Sequence, residues 1–501
     1  MGLFKRKDSR NSASDRDEQE SFVSVNSART SNTSLRSPGY KGSGLPISIP
    51  ELPIAKPPDP ALDPAAYLRS IHAVRERASI VLDCAKRNQL RHFDVDMSKF
   101  QATASYIVSI IKRDYAPDYE NIPPHGRWQH FDVGGRPRIN QLLQSWPSRI
   151  DSQERTRRLI DLFVVSVLLD AGAGTKWSYR SKESGKIYSR SEGLAVASLE
   201  MFKSGLFSSD PTEPCQVDGA ALKTVTVEKL AKGMQHSESN PLAGLEGRTG
   251  LLVRLADALN NQDFFGVDAR PGNMLDYILS HPSTQASSVP IVPITTLWTV
   301  LMDGFSPIWP PSRTQIDGVS IGDAWDCPDL PRSPPAQPWE SIIPFHKLTQ
   351  WLCYSIMVPL SKLMHIHFAG SDLLTGLPEY RNGGLLIDMG LLSLKPAELE
   401  RGIAAFRENA QIKGQPNMEV VPLFSTDDGV IVEWRAVTVG FLDELLDEVN
   451  TQLGLTGSED QLNLAQMLEA GSWKGGREIA EVSRPNTKEP PIMIRSDGTV
   501  F

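Results

Sequence analysis

From residue 64 onward, apolar residues recur at three- and four-residue spacing in one segment after another. In the first of these, Leu68, Ile71, Val74, Ala78, Val81 and Leu82 fall on one helical face behind Pro64, with Asp63 placed to cap. The same pattern predicts helices near 97–113, 138–146, 152–170, 191–204, 220–232, 247–260 and 271–280. It continues near 295–303, 344–367, 380–390, 396–409, 435–453 and 459–470. Strand signals are few. Lys186–Ser189 after Ser184-Gly185 suggests a short hairpin, and Val420–Phe424 with Val430–Trp434 around Asp427-Asp428-Gly429 suggests another. Strands and helices do not alternate regularly, so a doubly wound sheet is not supported, and a mainly α protein with small β-hairpin additions is expected.

The apolar run with the strongest claim to a membrane span, Leu159–Leu169, is interrupted by Asp161 and ends at Asp170, too short to span a bilayer. The four cysteines, Cys84, Cys215, Cys327 and Cys353, have no CxxC spacing, which argues against a zinc cluster or disulfide scaffold and for a reducing, cytoplasmic setting. A net charge of -8 disfavours a nucleic-acid groove without excluding a local basic pocket.

Residues 1–40 carry nine serines, many charges and few apolar side chains, so the first 60 residues read as a disordered Ser/Pro-rich tail. The Met1-Gly2 start resembles an acylation signal, but Arg6 stands where Ser or Thr is usual. One large helical domain is expected over 61–490, followed by a C-terminal tail over 491–501. Residues 305–340 hold eight prolines and three tryptophans, too aromatic for a plain linker, and read as an ordered loop.

Several clusters have residue types suited to chemistry. Asp170-Ala171-Gly172-Ala173-Gly174-Thr175-Lys176-Trp177 follows a buried-looking helix, and its small residues leave N–H groups open to an anion. A helix C-cap with a glycine turn explains it equally well. Lys176, Arg180 and Arg190 add charge nearby, Trp177 and Tyr179 add stacking faces, and Ser189 or Ser191 can cap the next helix. Asp323 and Asp326 flank Trp325 at a spacing that suits acid/base chemistry, or a turn before Pro328. His346, Lys347 and Gln350 open a long helix, Lys347 and Gln350 on one face. Glu379 and Arg381 precede another helix, as ligands for a ribose hydroxyl and an anion or as a local pair. His365, His367 and Asp372 are a poor metal set because the two imidazoles diverge, and no metal or cofactor is expected. Nucleophile-elbow, zincin and kinase motifs are absent from the sequence.

The segments LLDAGAGTKWSYR (168–180), YSRSEGLAVASLEMF (188–202), LEGRTGLLVRL (245–255), RPGNMLDYI (270–278), PFHKLTQWLCYS (344–355), LPEYRNGGLLIDMGLL (377–392) and LAQMLEAGSWKGGREIA (464–480) together resemble the uracil catabolism protein family of fungi and some bacteria. That family was long catalogued as of unknown function. The resemblance covers roughly 60–490. It implies a place in a pathway through ribosylurea, with contact to other enzymes of that pathway, and the step it implies is hydrolysis of an N-glycosidic bond to give urea and ribose or ribose phosphate. A weaker resemblance to queuosine-nucleotide salvage glycosidases implies a helical body distantly like DNA glycosylases.

On these resemblances Asp326, Asp323 and Glu379 are the catalytic carboxylates. Lys176, Trp177, Arg180, Trp325, Lys347, Gln350 and Arg381 bind a small ribosyl substrate, with or without a 5′-phosphate. Neither nucleic acid nor membrane is an expected partner. Two other functions fit the same residues: a non-catalytic nucleotide-binding regulator or scaffold of the pathway, and a metal-dependent amidohydrolase, which the weak histidine set disfavours.

Overall fold

The computed structural model describes residues 54–174, 176–285, 289–332, 335–378, 380–410, 419–457 and 460–495. The disordered tail expected over residues 1–60 lies, up to residue 53, outside them. The body is mainly helical, and its strands pair only two by two among the described residues. No helix among these residues is long and apolar enough to cross a membrane.

Helix α1 (Ile71–Lys86) begins later than its periodicity suggests. Asp63 caps one short turn, Pro64–Arg69, and Ser70 breaks it and caps α1 through its side chain. Helix α2 (Phe100–Tyr115) presents its apolar stripe to the core. Helix α3 (Arg127–Phe131) is a single turn. Helix α4 (Ser152–Leu168) is capped by Asp151, whose side chain accepts the Glu154 N–H at 2.8 Å. Nearly every side chain from Leu159 to Leu168 is buried, so α4 is the central helix; each large apolar side chain there contributes about 1.5–3 kcal/mol by leaving water.

A hairpin of β1 (Ser178–Arg180) and β2 (Ile187–Ser189) follows where the Ser-Gly signal placed it, and runs into α5 (Arg190–Lys203). Helix α6 (Leu245–Ala258) packs on α4. In the Pro/Trp-rich stretch, β3 (Ala324–Asp326) pairs antiparallel with β4 (Ile342–Pro344), and β4 leads into α7 (Lys347–Met364), which lies along α4. Helix α8 (Tyr380–Asp388) follows.

The second predicted hairpin is replaced by a different structure. Leu423–Ser425 is indeed a strand, β5, but Val430–Trp434 lies inside the long helix α9 (Gly429–Leu453). Asp428 caps that helix by accepting the Val430 N–H at 3.0 Å, so the Asp-Gly pair read as a hairpin turn is a helix start. Val430–Val432 are fully buried, and packing of α9 on α1 and α2 overrides their β preference. Helix α10 (Trp473–Ser483) packs against α8; a Cβ at Gly476 would overlap the Arg381 carbonyl, so only glycine allows that approach. Residues Met493–Arg495, placed in the tail by composition, form β6 and pair in parallel with β5.

Candidate active site

A cavity of about 330 Å³ opens where α3, the end of α4, the start of α5, the start of α7, α8, α10 and the 489–495 segment meet. The size suits a sugar phosphate with a small substituent.

Its floor is built from α3. Gly126 sits against the Tyr354 carbonyl, and the Arg127 N–H donates to Ser355 Oγ at 3.1 Å, fixing α3 to α7. The Arg127 guanidinium is fully buried. Nε donates to Ser166 Oγ at 2.8 Å, Nη2 to the Ser166 carbonyl at 3.1 Å, and Nη1 to Asp170 Oδ2 at 2.8 Å. Asp170 therefore faces the cavity with one oxygen held by a buried cation. Its Oδ1 is buried and, among the described residues, has no hydrogen-bond partner.

The Ala171–Gly174 turn beside Asp170 lines the same cavity. Buried Arg248 of α6 holds it, donating to the carbonyls of Leu169 (3.2 Å), Ala171 (2.7 Å), Gly172 (2.9 Å) and Ala243. Burial lowers the Arg248 pKa to about 10, so the cation persists at the helix end, where open carbonyls favour it. The turn is thus a helix C-cap and a cavity wall at once.

Four rings stand together on one side. His125 and Trp351 have centroids 4.6 Å apart, His130 and Trp351 5.5 Å, and His130 and Trp473 5.3 Å. Glu469 Oε2 lies 2.6 Å from His125 Nδ1. Burial, and next the Arg127 charge, push the His130 pKa well below that of a free imidazole.

Cationic side chains share the cavity with these rings. Arg190, Lys347, Arg381 and Arg477 line the cavity, with Glu192 and Glu489 interspersed. Arg190 donates to the carbonyls of Thr487 and Lys488, both at 3.0 Å, and Arg381 to Lys488 at 3.1 Å. Arg477 pairs with Glu192 and lies over the Trp473 ring at 5.1 Å. The 484–495 segment that meets these arginines is tied down by the Arg484–Asp388 ion pair.

Of the residues given catalytic or binding roles on the resemblances, Lys347 and Arg381 line the cavity, as do the 170–174 turn, Arg190 and Ser191 of the neighbouring clusters. The other residues given such roles, where described, do not. Asp323 is fully buried behind it, accepting from Arg435 Nη1 (2.9 Å) and Nη2 (2.8 Å), Trp325 Nε1 (2.6 Å) and the Lys347 N–H (2.9 Å). Burial would raise its pKa, but the Arg435 charge and these hydrogen bonds outweigh it and hold the carboxyl well below the ordinary range. Its backbone carbonyl also accepts from Phe345 and His346. Asp323 thus positions the start of α7, and so Lys347, and has no free oxygen for chemistry.

Asp326 is exposed on β3 outside the cavity, and Trp325 stacks on Arg313 at 4.5 Å. Trp177 is buried with its Nε1 donating to the Met234 carbonyl at 2.9 Å. Exposed Arg180 donates to the Gly185 carbonyl at 3.0 Å, and Lys176 is exposed. Gln350 is buried and exchanges hydrogen bonds with Thr375 at 2.6 and 3.1 Å. Glu379 and Thr175 lie outside the described residues. The side chains of Asp323, Asp326, Trp177, Trp325, Arg180, Lys176 and Gln350, expected in a site, are thus engaged elsewhere or face solvent and do not line this cavity.

Sequence reasoning missed His125, Arg127, His130, Trp351, Trp473 and Arg477, and treated Asp170 as part of a turn. The available signal was the run His125-Gly126-Arg127-Trp128-Gln129-His130, with two imidazoles and a guanidinium within six residues.

A family model described as a protein of unknown function, DUF1688, matches residues 67–501. The chain is 45% identical over 446 residues to Uracil catabolism protein 4 of Lachancea kluyveri, covering 88% of this chain and 99% of that protein. It is 44% identical over 437 residues to Protein urg3 of Schizosaccharomyces pombe, covering 87% and 98%. These matches bear out the resemblance carried by the long motifs, and the chain belongs to the DUF1688 family.

Proposed function

We propose that the chain acts in uracil catabolism as an N-ribosyl hydrolase, cleaving ribosylurea or its 5′-phosphate to urea and ribose or ribose phosphate. The name of the Lachancea relative supports the pathway. The observation that carries the reaction is Asp170, a cavity carboxylate with Oδ2 held by Arg127 and, among the described residues, no partner on Oδ1.

Cleavage of an N-ribosyl bond passes through a sugar with oxocarbenium character, which a fixed carboxylate stabilises. Asp170 takes this role and directs the incoming water or attacks the anomeric carbon itself. The cationic side chains of the cavity, Lys347 and Arg381 foremost, hold the phosphate. His125, oriented by Glu469, is the group placed to move a proton.

The test is incubation of the purified protein with ribosylurea and with ribosylurea 5′-phosphate, assaying urea. Release of urea from either is expected. No release from both overturns the hydrolase reading, and stabilisation by the ligands without turnover would favour a non-catalytic binding protein of the same pathway.

A further inference from the structure

Two hydrogen-bond donors of the cavity wall lack an acceptor. Among the described residues, His130 Nε2 and Trp351 Nε1 are buried without a hydrogen-bond partner. Both side chains line the cavity, and each residue is 5% exposed.

His130 Nε2 is a donor by elimination. A guanidinium offers only N–H groups, so the 3.3 Å contact between Arg127 Nη1 and His130 Nδ1 makes Nδ1 the acceptor. The single proton of the neutral ring then sits on Nε2. Buried donors are rarely left unsatisfied, because each one stripped of water costs about 1–3 kcal/mol. Two such donors on neighbouring rings, with centroids 5.5 Å apart, leave this wall of the cavity short of an acceptor. The surrounding faces are flat: Trp473 stands 5.3 Å from His130, and His125 4.6 Å from Trp351. A planar, uncharged group with a carbonyl oxygen matches these walls, whereas a phosphate is better served by the arginines that line the same cavity.

We propose that this slot is the leaving-group subsite, holding the ureido group with its carbonyl oxygen accepting from Trp351 Nε1–H and His130 Nε2–H. The substrate class is a ribosyl compound whose leaving group is flat, neutral and carbonyl-bearing. As the C1′–N bond breaks, its electron pair moves to the ureido nitrogen and spreads onto that oxygen, where the two donors meet it. Water supplies the hydroxyl to C1′ and the proton to nitrogen, giving urea. The chemistry rests on the hydrolase reading, but the subsite is tested by binding alone.

The probe is the carbocyclic analogue of ribosylurea 5′-phosphate, which cannot form an oxocarbenium ion and so is not cleaved. It is titrated calorimetrically, beside ribose 5-phosphate, into wild type, Trp351→Phe and His130→Asn. The asparagine keeps an acceptor near Arg127 and removes the Nε2 donor, and it serves also if the tryptophan variant fails to fold. Either variant is expected to bind the analogue about tenfold more weakly, with ribose 5-phosphate affinity within about twofold of wild type. Unchanged affinity for the analogue in a folded variant, equal weakening of both ligands, or no binding of the analogue to wild type overturns the proposal. Donor-dependent binding combined with no urea release from either ribosylurea or its 5′-phosphate keeps the subsite and overturns the hydrolase reading instead.

Discussion

Two of the buried aspartate–arginine pairs in this molecule differ in what is left over. Asp323 with Arg435 joins segments 112 residues apart, and four donors occupy its two oxygens. Asp170 with Arg127 joins segments 43 residues apart, and the arginine occupies only Oδ2. The first pair fixes the start of α7; the second presents a carboxylate to a cavity. Burial and an arginine partner therefore do not mark a catalytic carboxylate. The role proposed for Asp170 rests instead on a buried acceptor without a partner beside a cavity.

The largest expected effect separates the two pairs. Asp170→Asn keeps an acceptor for Arg127, and urea release should fall about 1,000-fold with the melting temperature near that of wild type. Activity within about tenfold of wild type would end the contrast. Asp323→Ala should act in the other sense. It strands the Arg435 cation in the interior, and guanidinium denaturation should show a loss of about 3–5 kcal/mol. A small loss would mean that Arg435 finds another partner.

A third test uses the histidine beside the Asp323 pair. His346 is fully buried, its Nε2 lies 2.7 Å from the Leu68 carbonyl, and burial lowers its pKa to about 4. The folded value lies below the unfolded one, so stability is full above about pH 6.5 and falls as the unfolded chain takes up the proton between about 6.5 and 4. From pH 7.5 to 5.0 this site should cost about 2 kcal/mol. The slope should flatten in a folded His346→Gln variant, and an equally steep slope there would assign the effect to other groups.

The smallest expected effect concerns the misread hairpin. Asp428→Ala removes the cap of α9 and should lower stability by about 1 kcal/mol without altering ligand binding. A loss of ligand affinity equal to that of a cavity variant would tie α9 to the site more closely than its packing indicates.

Part of the site was legible in the chain. Lys347 and Arg381 are charged residues at the starts of apolar helices, and helix starts at a cavity edge are where such side chains remain useful. Trp351, Trp473 and Arg477 lie within the same long motifs, but helical phase alone assigns an indole to the core. His125 depends on Glu469, 344 residues away, and no local pattern announces such a partner. Asp323 and Asp326 misled because their spacing beside Trp325 suits acid/base work, while the donors that saturate Asp323 come from β3, α7 and α9.

The sequence alone determined the helical class, most helix positions, the first hairpin and the family resemblance. These depend on spacing within a turn or on long contiguous motifs, which are local properties of the chain. Tertiary structure decided that Val430–Trp434 is helix, that β6 pairs with β5, and which aspartate faces the cavity. Each of these depends on burial by a distant segment, or on how many donors converge on one oxygen, and neither is encoded in local spacing.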